Sequence, residues 1–202
     1  MGTAAQTLPG VPAEQRWRNA PAAWKVEDGG DLSITAGKST DWFVSPFEGR
    51  ATATSPVLLF KADREFTLRA KVSVDFGAPW DAGCMAVYSN DATWGKLCLE
   101  MTQWKEPTIV SVVTRGRSDD NNSIPISGHS VYLEIAKSGQ AILFYASTDG
   151  RSWRLTRAFH LGAEGPLEAG FSAQSPAGET CRAVFSEIRY SAKPPADFWK
   201  GE

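Results

Sequence analysis

The sequence predicts an all-β sandwich of antiparallel sheets, and three observations carry the prediction. Turn signals recur at short intervals, at Asp28-Gly29-Gly30, Ser89-Asn90-Asp91, Asn121-Asn122, Ser138-Gly139, Asp149-Gly150 and Ala177-Gly178. Between them apolar and polar residues alternate over strand-length runs. No segment of helical length has a 3.6-residue period and no strand–helix–strand alternation appears, so the sheets are expected to stack face to face.

Taken in order, residues 1–15 are small, Pro-containing and weakly patterned, and read as a loose lead-in to a single domain over 16–202. The clearest strand is EFTLRAKVSVDF. There Phe66, Leu68, Ala70, Val72, Val74 and Phe76 alternate with Thr67, Arg69, Lys71, Ser73 and Asp75. Further strands are expected at 83–89, 94–101, 108–114, 131–137, 140–146, 155–160, 167–173 and 182–190. Asn90-Asp91-Ala92-Thr93 joins two of them as a hairpin. In YASTDGRSW, residues 145–153, Asp149 accepts backbone hydrogen bonds and Gly150 supplies the positive φ of a tight turn, after which Trp153 packs back on the strands.

Composition narrows the function classes. Eight Trp, ten Phe and four Tyr supply core, or a platform for a ligand. A net charge of −2 with scattered basic residues gives no case for nucleic acid. Cys84, Cys98 and Cys181, three at wide spacing, read as buried thiols rather than a disulfide framework or zinc site. The start MGTAAQTLPGVPAEQ lacks a basic-then-apolar signal, and no run of about 20 apolar residues is present to span a bilayer. A soluble cytoplasmic protein without membrane attachment or cofactor is the expectation; the oligomeric state is not legible.

Three stretches carry candidate site residues. In WGKLCLEM, Trp94, Lys96, Cys98 and Glu100 fall on one side of a strand, presenting an indole, an ammonium and a carboxylate in a row. Residues two apart project roughly 7 Å apart, a spacing suited to sugar hydroxyls; the bland alternative is a solvated face with a Lys/Glu pair. In APWDAG, Trp80 and Asp81 at a strand entrance suit ring stacking plus hydroxyl binding, or are an ordinary loop. In TRGRSDDNN, Asp119, Asp120, Asn121 and Asn122 are hard oxygen donors on an expected loop, but they lack the Gly and Glu places of an EF-hand, and a solvated turn is the reading. His129 and His160 are isolated, and no nucleophile elbow or phosphate cradle is present. Asp81 and Glu100 are the one carboxylate pair to name for glycoside hydrolysis. Lys96 beside Glu100 is expected to hold that carboxylate charged, against a proton-donor role.

The ordered set TDWFVSP, FTLRAKVSVDFGAPWDAGCMAVYSNDATWGKLCLE, SVVTRGRSDD, YASTDGRSW and GFSAQSP resembles the YesU-like bacterial proteins of the concanavalin A-like superfamily. That family is of unknown function, sometimes labelled regulation of enolase, with related modules at the C-terminus of some β-xylosidases. The resemblance runs over about residues 15–192. It implies a jelly roll of two curved antiparallel sheets whose concave face meets glycans in the wider superfamily. Trp42, Ala82-Gly83, Trp94, Lys96, Glu100, Thr114 and Ser118-Asp119 match its pattern. The chain departs from it at Trp80-Asp81, where the family reads Asp-Gln, and at Asp120-Asn121, where it reads Trp-Ser. YASTDGRSW also resembles the structural Asp-box hairpin of sialidases, with one residue fewer between Asp and Gly. The leading expectation is a lectin-like module presenting Trp80, Asp81, Trp94, Lys96, Glu100, Arg115, Ser118, Asp119 and Gln174 to a saccharide. A glycan-active enzyme and a protein-interaction domain without a small ligand are the competitors.

Overall fold

A computed structural model describes residues 7–202. Its strands are β1 (Gln15–Arg18), β2 (Ala23–Val26), β3 (Leu32–Gly37), β4 (Trp42–Val44), β5 (Ala51–Ala53), β6 (Val57–Lys61), β7 (Phe66–Asp75) and β8 (Ala82–Asn90). They continue as β9 (Thr93–Met101), β10 (Pro107–Arg115), β11 (Arg117–Pro125), β12 (Ser130–Ser138), β13 (Ala141–Ser147), β14 (Arg154–His160), β15 (Glu168–Gln174) and β16 (Thr180–Ser191). Two seven-stranded antiparallel sheets form a sandwich: β1-β6-β15-β8-β9-β10-β11 is the first, β14-β13-β12-β7-β16-β3-β2 the second. The β4–β5 hairpin stands apart from both. No helix among the described residues is long and apolar enough to cross a membrane.

The core fills the space between the sheets. Phe66, Leu68, Ala70, Val72 and Val74 of β7 all face it, as their alternation requires, with Met85, Val87, Leu97, Leu99, Phe171 and Phe185 among their neighbours. Each such aliphatic or aromatic side chain contributes about 1.5–3 kcal/mol on leaving water. Gly83 marks the tightest approach. A Cβ there would lie 2.9 Å from both Ala183 Cβ and Val72 Cγ1, so no larger residue fits without moving one sheet.

The hairpin at 147–154 forms as expected. Asp149 Oδ1 accepts the N–H groups of Arg151 and Ser152 at 2.8 and 2.7 Å, Gly150 has φ 71°, and Trp153 is buried with Tyr145 and Leu143. The N–H groups of Ser152 and Arg151 hold the Asp149 carboxyl well below its usual range. The stretch therefore turns the chain.

Two expectations are corrected. Residues 114–122, read as a loop, are instead the end of β10 and most of strand β11, turned out of β10 at Gly116 with φ 76°. An edge strand open to solvent needs no apolar alternation, and charged side chains guard it from pairing with another chain. Strands β1–β6 went unread because most are short, with β1 and β2 at sheet edges and β4 and β5 paired only with each other. In the lead-in, residues 1–6 lie outside the described residues. Beyond them Leu8 is buried, its N–H and C=O both bound by the Gln15 side-chain amide.

Candidate functional site

The face of the first sheet turned away from the second carries the chemistry. Antiparallel register sets Ala86, Lys96, Val112 and Asp120 in one cross-strand row, and Gln174, Ala82, Glu100 and Thr108 in another. Cys84, Cys98, Val110 and Asn122 form the row between. Ala82, Cys84 and Ala86 of β8 are small. That lets the Lys96 side chain lie across the sheet from β9 to β15, two strand spacings of about 4.8 Å, where Nζ donates to Gln174 Oε1 at 2.7 Å. The other end of the same amide donates to the Trp80 carbonyl at 3.0 Å and to Glu100 Oε2 at 3.4 Å.

A cover of loop and hairpin closes much of this face. Thr40 and Ser175 exchange backbone hydrogen bonds at 3.2 Å, which fixes Asp41 over the sheet, its Oδ1 3.8 Å from Lys96 Nζ. From there the chain enters β4, and Trp42 stacks on Trp94 with ring centroids 4.3 Å apart. Ser118 Oγ accepts the Val44 N–H at 2.9 Å and shares a hydrogen bond with Thr114, tying the hairpin down. Lys96 is left 2% exposed and Glu100 8%.

Electrostatics follow from that burial. Burial works against the Lys96 charge, but the attraction of the acidic groups around it outweighs that cost and the ammonium stays protonated. Burial also keeps the Cys98 thiol protonated. Burial pushes Glu100 up to about 8, against the pull of Lys96 and with the help of Asp120 and Asp41. The expectation that Lys96 holds Glu100 charged is thus corrected: desolvation outweighs a single cation. Asp120, exposed on the rim, is also raised, by burial first, with Lys96 opposing.

Of the residues singled out from sequence, Lys96, Glu100 and Gln174 come together and Trp80 adjoins them. The rest lie elsewhere. Trp94 is fully buried beneath Trp42, and its indole N–H has no partner. Asp81 is fully buried, its oxygens accepting the N–H groups of Gly77 and Ala78 and the Ser175 hydroxyl at 2.8–2.9 Å. Ser118 holds the hairpin. Arg115 donates to the His160 carbonyl at 2.8 Å, and Asp119 pairs with Arg157 at 2.9 Å, both reaching toward β14 of the second sheet. Asp41 was not singled out, and Asp120 was named only among the oxygen donors of an expected loop. The register set at Gly116 puts Asp120, not Asp119, in the Lys96 row, and a loop reading hides that parity. Among the described residues no group of three or more His, Cys, Asp or Glu is arranged to hold a metal ion.

Solved structures share the fold. A functionally unknown protein from Saccharomyces cerevisiae aligns over 92% of this chain and 98% of its own, with TM-score 0.82 and 20% identity. The GH43 protein BlXynB from Bacillus licheniformis aligns with TM-score 0.68 and 17% identity over 90% of this chain and 37% of its own, so the chain spans little more than a third of that protein. The alginate lyase from Klebsiella pneumoniae aligns over 83% of both chains with TM-score 0.53 and 12% identity. No curated protein matches the sequence. Residues 17–193 match the model of DUF1349, a protein family of unknown function, and the chain belongs to that family.

Proposed function

We propose that the outer face of the first sheet binds a saccharide, with the Trp80 indole as the stacking surface and Lys96, Gln174 and Glu100 as the polar groups beneath it. The observation that carries the reading is Trp80. The residue is 44% exposed although its backbone is tightly held, the N–H by the Met101 carbonyl at 2.5 Å and the C=O by Gln174. It also has φ 67°, a conformation that costs a bulky residue about 1–3 kcal/mol. Strain of this kind gathers where a side chain is being aimed, and an indole beside hydroxyl-binding groups suits the apolar face of a pyranose. The fold neighbour named as a xylan β-1,4-xylosidase, of whose chain 36% aligns, acts on a glycan, and the YesU-like resemblance points the same way.

Tryptophan fluorescence on titration with a glycan panel tests the reading. A saturable change, lost in a folded Trp80→Ala variant, supports it. A flat response across the panel removes it. A glycan-cleaving role has one observation in its favour, the Glu100 carboxyl kept protonated near the Asp41 and Asp120 carboxylates. Asp81 is not available as its partner, because backbone and Ser175 donors occupy its oxygens. Release of reducing ends from polysaccharide, abolished in Glu100→Gln, would identify this activity; binding without release leaves the lectin-like role.

A further inference from the structure

Resting on that reading, we infer that the site takes uncharged saccharides and turns away anionic ones such as uronate oligosaccharides. Recognition of a sugar carboxylate or sulfate needs a cation with donors to spare, most often a fork-shaped guanidinium or an accessible ammonium. Lys96 is the cation at the centre of this face, and it is 2% exposed. It gives its short hydrogen bond to Gln174 and has the Asp41 carboxylate 3.8 Å away. Asp120 stands in the same cross-strand row as Lys96 and Asp41 lies beside its ammonium, so one cation is set among two acids.

The nearby guanidinium groups are engaged. Arg157 pairs with Asp119 and donates to the Ser111 carbonyl. Arg18 pairs with Asp91 and lies over the Trp42 ring. Arg117 donates to the carbonyls of Pro46 and Phe47 at 2.9 and 3.0 Å. Asp120 is exposed and the Asp41 side chain is 26% exposed against 3% for that of Lys96, so a ligand over this face meets the two acids before it meets Lys96. Sugar hydroxyls donate to such carboxylates, whereas a uronate is repelled by them. Ionisation of Glu100 would only add to the negative balance, so the selectivity does not depend on that group's protonation.

The experiment compares xylo- and cello-oligosaccharides with oligogalacturonate and oligomannuronate of matched length, by calorimetry at neutral pH in low and high salt. The tightest neutral ligand is expected to bind at least about tenfold more tightly than any anionic one, and added salt to improve only anionic binding by screening the rim. Asp120→Lys is expected to raise the affinity for the anionic oligosaccharides about tenfold or more. Equal or tighter anionic binding that Trp80→Ala abolishes would overturn the selectivity while leaving the site in place. No binding by either class would overturn the site itself, and this inference with it.

Discussion

Replacing Glu100 by glutamine keeps the side chain's shape and removes a proton-binding group, which makes it a direct probe of how this face is solvated. In the folded protein burial raises the Glu100 carboxyl to about 8, whereas in the unfolded chain it titrates near its ordinary value. Between those values the native state binds the proton that the unfolded state has lost. Stability from this group therefore falls as pH rises, beginning near the unfolded value and levelling off above about 8. Linkage gives a slope approaching 1.4 kcal/mol per pH unit, or about 2.5 kcal/mol between about pH 5 and about pH 7. Urea denaturation of both proteins across that range measures it. The difference in unfolding free energy between wild type and Glu100→Gln should shift by about that amount, in favour of the variant as pH rises. Parallel curves would show that Glu100 is ionised and solvated in the native state, and would refute the account of this site's electrostatics.

Three further outcomes follow from packing. Trp94→Ala should destabilise by about 3–5 kcal/mol in urea, because it empties the space beneath Trp42, while far-UV circular dichroism stays that of a β-sandwich. Gly83→Ala should lower stability by about 1–3 kcal/mol, since the new methyl meets Ala183 and Val72 across the inter-sheet gap; an unchanged denaturation midpoint would contradict that close approach. All three cysteines are free and buried, so a thiol reagent should label none in the native protein and three in guanidinium; rapid labelling of Cys98 would mean that the cover over Lys96 opens readily.

Much of the sandwich was legible because its central strands obey simple rules. Phe66 to Asp75 alternates cleanly, and the Asp91 and Asp149 turns carry their own chemistry. Alternation alone also puts Lys96 and Glu100 on one face. It could not say what covers that face, since a strand's parity is local whereas the cover arrives from Thr40–Val44, far away in the chain and too short to read as strand. For the same reason Trp94 looked available for stacking until Trp42 was found on it, and Glu100 looked charged until its burial was known. Asp119 and Asp120 differ only in parity, which is set by the turn at Gly116. Gln174, by contrast, was singled out in sequence and proves to be the hub, because its amide can accept from Lys96 and donate to Trp80 and Glu100 at once.

The most direct test is a nuclear magnetic resonance titration of the labelled protein with a xylo-oligosaccharide, following tryptophan indole and glutamine amide signals. The account predicts that the Trp80 indole and the Gln174 side-chain amide shift together and saturate at one affinity, while Trp153 on the opposite sheet stays still. Shifts confined to Trp153 and its neighbours Arg69 and Tyr132, with Trp80 and Gln174 unmoved, would contradict it.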